Sequence, residues 1–398
     1  MDFIGQGGVG RKLVPVVLVL LCLVGVFFSK GPRLIDEREN KVVTKPPYGR
    51  LVSDRARELH EDLTIIDLHA DSLLWGRDLL ERSRYGQVDI PRLVDGNVAL
   101  QVFSMPTKTP RGLNLTRNDD KSDEIFWLAV MERWPLKSWK SLTERAVYEA
   151  SRLHDMAIAS RGGFALIESA GDLTNYLARR QADPRMTAGL LSIEGAHALD
   201  GKLENLDILY AAGYRIMSPT HFFDNDIGGS AAGIDRIGLT DKGREWVRQM
   251  EARHMIIDLA HASPKTINDV LEMATRPVLV SHTGVKGTCK NNRNLSDDQI
   301  QAIALKGGLI GIGYWNQAVC GRDARSIVKA MRYVSDRVGV EHVALGSDFD
   351  GAVTVPFDTT GLVEITAALM DAGYSEKEIR MIMGENAVKF LKENLPAR

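Results

Sequence analysis

No charge of either sign dominates this sequence: 50 Lys and Arg face 52 Asp and Glu, a net charge of −2. Without a basic excess or stripe there is no electrostatic footprint for nucleic acid, and the Arg179-Arg180 pair is too small to make one. Cysteine is scarce, with three in 398 residues. Cys22 follows Leu21, where lipoprotein cleavage needs a small side chain, so lipidation there is not expected. Between Leu51 and Arg398 there is no Pro/Ser/Gly-rich linker, no internal repeat and no low-complexity tract. A single domain is therefore the economical reading of residues 51–398. The sequence closes on Leu395-Pro396-Ala397-Arg398 without a hydrophobic tail, so any membrane attachment is expected at the other end.

That other end holds the one long apolar run. Arg11-Lys12 precedes Leu13 to Phe28, sixteen residues without charge, and Ser29-Lys30 closes it. No Ala-x-Ala cleavage pattern follows, so an uncleaved signal anchor over residues 1–30 is expected. Arg11-Lys12 would stay in the cytoplasm and the remainder would lie on the non-cytoplasmic side, periplasmic or extracellular. Gly31 to Tyr48, within residues 31–50, reads as an exposed polar linker.

Eight short apolar runs follow, and six stop at an ionisable residue. Ile65-Ile66-Asp67-Leu68 leads to His69 and Asp71, Leu190 to Ile193 leads to Glu194, Met255 to Ala260 leads to His261, Val278 to Ser281 leads to His282, and Val343 to Ser347 leads to Asp348. Tyr214 to Thr220 runs directly into His221, while Val98 to Phe103 and Leu309 to Tyr314 have no charged terminus. Helical stretches such as Gly238 to Arg253 and Ala324 to Val338 separate them. Near-continuous apolar strands alternating with helices indicate parallel βαβ units, and eight of them predict a (β/α)8 TIM-like barrel. Pro106 to Gly163 is too long for one βα unit and is expected to be a helical insertion after the second strand.

In such a barrel the C-terminal strand ends share one mouth. His69 and Asp71, at i and i+2 of a strand, point to the same face. Imidazole and carboxylate together suit zinc or a similar first-row divalent ion, cobalt and manganese included. Six of the nine histidines lie in or beside the proposed strands, and four of these, His69, His221, His261 and His282, are at C-termini. His60, His154, His197, His254 and His342 are assigned no chemistry. Cys289 and Cys320 fall in the loops after the sixth and seventh strands, where they are either a disulfide, the favoured reading in an exported domain, or further metal ligands.

Taken in order, His69-Ala70-Asp71, the Glu of Ile193-Glu194-Gly195-Ala196-His197, Thr220-His221, Asp258-Leu259-Ala260-His261, Ser281-His282, Arg293-Asn294 and Gly346-Ser347-Asp348-Phe349-Asp350-Gly351 resemble the motif series of the membrane dipeptidases. These are binuclear zinc enzymes of the amidohydrolase barrel superfamily. The resemblance extends from about Thr64 to Gly384-Glu385-Asn386-Ala387. It implies hydrolysis of dipeptides, with a D-residue tolerated at the C-terminal position, by two Zn2+ per chain. His69 and Asp71 would hold one ion, His261 and His282 the other, and Glu194 would bridge them. The fourth strand contains no lysine that could be carbamylated for that purpose, in keeping with a glutamate bridge. Asp348 would transfer protons, His221 would donate to the oxyanion and Arg293 would hold the substrate's free carboxylate. The resemblance also pairs Cys289 with Cys320 and implies a homodimer. Phe222-Phe223 and Tyr314-Trp315 are expected to wall the substrate pocket, and Asp350 is as readily a loop-structural residue as an active one. A different metal-dependent amidohydrolase, acting on a lactone, cyclic amide or ester, is the alternative.

Overall fold

The computed structural model describes residues 9–49 and 52–398, and of residues 9–14 and 16–24 the backbone only. Nine strands form one parallel sheet: β1 Ile65–Ala70, β2 Val98–Phe103, β3 Phe164–Leu166, β4 Thr187–Ile193, β5 Tyr214–Met217, β6 Ile256–Ile257, β7 Leu279–Thr283, β8 Leu309–Ile312 and β9 Val343–Leu345. Their order is β6-β5-β4-β2-β1-β9-β8-β7. The edge strands β6 and β7 meet through a parallel bridge between Asp258 and Leu279, where Leu259 N–H donates to the Leu279 carbonyl at 2.7 Å. The sheet thus curls until its edges touch, consistent with a TIM-like barrel. All residues of β1, β2 and β4 are buried, which is why these strands read as unbroken apolar runs rather than as alternating ones.

All eight expected strands are present. The ninth, β3, was not expected; it is three residues that pair with the start of β4, too short to leave a periodic signal. The insertion before it is helical as expected, with helices Glu124–Met131 and Leu142–Ala159. Ser141 caps the second of these by accepting from Glu144 N–H at 3.1 Å. Two glycines set the barrel's closeness. A Cβ at Gly311, in β8, or at Gly346, just after β9, would collide with the Ser281 carbonyl oxygen, so the chain can come this close to β7 at these two positions only as glycine.

The N-terminal region departs from expectation. Residues 31–39, expected to be part of a free linker, continue the helix Val9–Glu39. Ile35 packs on a cluster containing Leu74, Trp75, Ile125 and Trp134, and Val42 bridges to Val355. An acidic residue of this helix, Asp36, is buried against Arg77. No helix among the described residues is long and apolar enough to cross a membrane, and most side chains of the apolar run Leu13 to Phe28 lie outside the described residues.

Candidate metal centre

The strand ends bring together the residues that the sequence singled out. His69 and Asp71 follow from β1, Glu194 from β4, His221 from the loop after β5, His261 from that after β6, His282 from within β7 and Asp348 from beyond β9. Three imidazoles face one carboxylate oxygen: Nε2 of His69, His261 and His282 lie 3.3, 3.3 and 3.4 Å from Glu194 Oε1. The second oxygen, Oε2, lies 3.1 Å from His221 Nε2. His69 Nε2 is also 3.4 Å from Asp71 Oδ1 and 4.0 Å from Asp348 Oδ1. Potential ligand atoms form three overlapping groups: His69, Glu194 and His282; Glu194, His221 and His261; His69, Asp71 and Asp348.

These residues are buried, yet His69 Nε2, Asp71 Oδ1, Glu194 Oε1, His221 Nδ1 and His261 Nδ1 lack a hydrogen-bond partner. Buried polar atoms are ordinarily paired, and leaving one unpaired costs about 1–3 kcal/mol. His261 Nε2 also stands 2.9 Å from His282 Nε2, a spacing at which two lone pairs would repel. Coordination of divalent cations would satisfy His69 Nε2, Asp71 Oδ1 and Glu194 Oε1 together and relieve the contact of His261 Nε2 with His282 Nε2, so the donor set fits a metal centre of imidazole nitrogen and carboxylate oxygen.

Electrostatics lead to the same conclusion. Burial raises Glu194 and Asp71 above the usual carboxylate range and pushes Asp348 up to about 8, each carboxylate being disfavoured further by another beside it. Burial lowers His221, His261 and His282 well below the usual imidazole value, leaving them neutral, the form that binds metal. At His69 burial acts downward, but Glu194, Asp71 and Asp348 outweigh it and raise the ring to about 10. A low-dielectric site with three carboxylates demands positive charge.

Two residues that the sequence placed only within motifs orient the ligands. Ser281 Oγ donates to Asp258 Oδ2 at 2.5 Å and lies 3.2 Å from His69 Nδ1 and 2.9 Å from His282 Nδ1. With its single proton given to Asp258, the hydroxyl can only accept from both rings, which fixes a proton on each Nδ1 and frees each Nε2 as a lone pair. Asp258 Oδ1 accepts in turn from the backbone N–H groups of Ser281 and Ala260. His261 and Asp348 adopt left-handed backbone conformations, φ 64° and 62°. Such non-glycine strain persists only where its surroundings enforce it.

Around the ligands, Arg293 is buried, donates from Nη2 to the His282 carbonyl at 2.7 Å and leaves Nε unpartnered. Its loop is tied by the Cys289–Cys320 disulfide and by Asn294, whose Nδ2 donates to the carbonyls of Cys289 and Ala318. Phe222 stacks beside His221 and Trp315 beside His282, as expected of pocket walls. Tyr314 is not a wall. It is fully buried against Phe349 and Phe357, because its position alternates into the core while Trp315 faces the ligands. Asp350 is structural: its carboxylate accepts from Ser72 Oγ and from Gln87 and Val88 N–H and pairs with Arg77. His197, given no role from sequence, is buried with neither ring nitrogen partnered, and its nearness to Glu194 was the signal available.

Comparison with known proteins decides the class. A model of the membrane dipeptidase family, peptidase family M19, matches residues 53–397. The chain belongs to this family. It is accordingly a metallopeptidase of the dipeptidase type, as its motif series implied. Among curated relatives of this M19 chain, "Dipeptidase tcpJ" of Claviceps purpurea is 28% identical over 321 residues, 77% of this chain and 69% of the relative. A protein from Klebsiella pneumoniae, described by its position in the pqqA 5′ region, is 32% identical over 257 residues, 60% of this chain and 92% of its own. Two solved structures share the fold. The probable dipeptidase PvdM from Pseudomonas aeruginosa has a TM-score of 0.72 at 19% identity, covering 87% of this chain and 99% of its own. A metallo peptidase from Rhodobacter sphaeroides, liganded with a phosphinate mimic of L-Ala-D-Ala, has a TM-score of 0.69 at 23% identity, covering 84% and 99%.

Proposed function

We propose that this chain hydrolyses the peptide bond of free dipeptides, including those ending in a D-residue, with two zinc ions. His69 and Asp71 would hold one ion and His261 and His282 the other, with Glu194 shared between them. The observation that carries this reading is the approach of three imidazole Nε2 atoms to one Glu194 oxygen, beside the unpartnered Asp71 oxygen. When bound, such ions supply Lewis acidity and a nucleophilic water at neutral pH. The remaining work falls to the chain. Asp348, which cations beside it would hold in its ionised form, takes a proton from the attacking water and delivers it to the leaving amine. His221, neutral through burial, donates an N–H to the oxyanion as the carbonyl carbon becomes tetrahedral. Arg293, with Nε unpartnered, grips the terminal carboxylate, and the disulfide-tied loop fixes its place. Tolerance of a D-residue is supported by the ligand of the Rhodobacter sphaeroides neighbour.

Attachment to a membrane through the uncharged run Leu13 to Phe28, with the catalytic domain on the non-cytoplasmic side, and assembly as a homodimer belong to the same proposal. The first rests on the sequence and the second on the family resemblance. The test is metal analysis of the purified full chain together with turnover of L-Ala-L-Ala, L-Ala-D-Ala and a simple lactone. Two zinc ions per chain and cleavage of both dipeptides are expected. Full activity with one ion, or a preference for the lactone, would refute it.

A further inference from the structure

The loop after β9 carries Asp348, and three of its residues at alternating positions are left-handed without being glycine: Asp348, Asp350 and Ala352, with φ 62°, 59° and 55°. A chain does not hold this pattern by its own preference, because each such residue brings Cβ against its own backbone. Something must impose it. Part of the restraint comes from within the catalytic domain, through the bonds that Ser72, Gln87 and Val88 make to the Asp350 carboxylate.

The rest comes from residues 36–44, which precede the family-matched region 53–397. Arg77 spreads its guanidinium between the two: Nε donates to Asp36 Oδ2 at 2.8 Å and Nη2 pairs with Asp350 Oδ2 at 2.7 Å. Asp36, Arg77 and Asp350 are all buried. Asn40 is held by Asp36 through Nδ2 at 2.8 Å, and its Oδ1 accepts from Ala352 N–H at 2.9 Å. Beyond it the backbones pair: Val355 N–H donates to the Lys41 carbonyl, Val43 N–H to the Val355 carbonyl and Thr44 N–H to the Pro356 carbonyl, at 2.9–3.0 Å. Gln87 closes the arrangement, with Nε2 donating to the carbonyls of Lys41 and Val353 and Oε1 accepting from Asp350 N–H.

We propose that residues 36–44 are a positioning element of the active site, a clamp on the loop after β9 that keeps Asp348 in place. Asp36 and Asn40 touch neither the candidate ligands nor the substrate groups and act only through Arg77 and Ala352. The inference rests on the proton-transfer reading of Asp348. It makes the end of the N-terminal helix part of the catalytic apparatus, so that a pull on that helix would reach the site.

The experiment compares full-length wild type with Asp36→Ala/Asn40→Ala, Asn40→Ala alone and Asp36→Glu. It reads kcat and KM on L-Ala-D-Ala, bound metal, and amide hydrogen exchange of residues 349–356. In the double variant kcat should fall by about tenfold, within the range that small misplacements of a catalytic group produce. KM should stay within about twofold, metal content should be unchanged, and the Ala352 and Val355 amides should exchange faster. Asp36→Glu should recover part of kcat. Should the double variant not fold, Asn40→Ala must show the same pattern to a smaller degree. Wild-type kcat with faster exchange would overturn the proposal, as would unchanged exchange. Asp348→Asn serves as the reference: if that variant turns over normally, it is the reading of Asp348 that fails, while the exchange data still decide the clamp.

Discussion

His60 and His342, at the N-terminal end of the strands, each bond a ring nitrogen to the protein, His60 Nδ1 to Thr366 Oγ1 and His342 Nδ1 to the Gly308 carbonyl, both at 2.8 Å. At the opposite end His69, His221 and His261 are buried, as His60 is and more than the half-buried His342, yet each keeps an unpartnered ring nitrogen. A groove of about 720 Å3 also lies at the N-terminal end, between Asn97, Arg180 and Lys389. There Arg180 is already satisfied by Asn97 Oδ1 at 2.7 Å. What separates a structural end from a chemical one is whether the buried polar atoms are spent on the protein. The variants below test that distinction.

The largest effect should come from the residue that every imidazole faces. Glu194→Gln offers one amide oxygen where a carboxylate stood, and should reduce dipeptide turnover to background while weakening metal binding at both positions, as read by metal analysis after dialysis. Retention of two tightly bound ions would break the comparison. Asp348→Asn should keep the metal and lower kcat by roughly 10²–10⁴-fold, the range for loss of a general acid–base group. Loss of metal in that variant would make Asp348 a ligand instead.

Ser281→Ala sharpens the comparison from the ligand side. It strips one acceptor from both His69 and His282, so affinity for both ions should drop by about 10–100-fold, the usual consequence of losing an orienting partner. A competition titration with a chelator would show it, and weakening of one ion alone would contradict the shared role. Smaller still is Arg293→Lys, for which KM of a free dipeptide should rise about tenfold because the planar fork is lost. Amidation of the substrate should then harm the wild type more than the variant.

The last test lies at the structural end. Burial lowers His60 to about 4, so between pH 4 and 6.5 the unfolded chain binds a proton there that the folded chain refuses. Stability should therefore rise with pH through this window and level off above it, by on the order of 3 kcal/mol. His60→Gln should flatten that part of the curve in denaturant titrations without altering kcat. An unchanged slope would show that His60 titrates as it does in water.

Much of the site was legible because its chemistry sits at strand ends. An apolar run that stops at His, Glu or Asp marks both the strand and the direction in which its terminus points, so His69, Asp71, Glu194, His261, His282 and Asp348 could be grouped from one dimension. Asp258 and Ser281 were within quoted motifs, yet nothing in their spacing says that one hydroxyl serves two imidazoles from different strands. Tyr314 and Trp315 are adjacent letters of one aromatic pair, and only the backbone's alternation sends one into the core and the other to the site.

The N-terminal segment shows where reading a chain in one dimension ends. Its polarity between Gly31 and Tyr48 suggests solvent, because a sequence records that Asp36 is charged but not that Arg77 waits to pair with it. Apolar runs indicated the fold class, the resemblance of the ordered motif series indicated the family, and the strand-terminal residues picked out the candidate ligands, since each is written in short-range pattern. Which buried atoms are left without a partner, which hydroxyl fixes which tautomer and which loop a preceding helix restrains depend on residues such as His69 and Ser281, 212 positions apart, or Asn40 and Ala352, 312 apart, meeting in space. Those were decided by the tertiary structure alone, because hydrogen bonds and desolvation depend on distances that the order of residues does not encode.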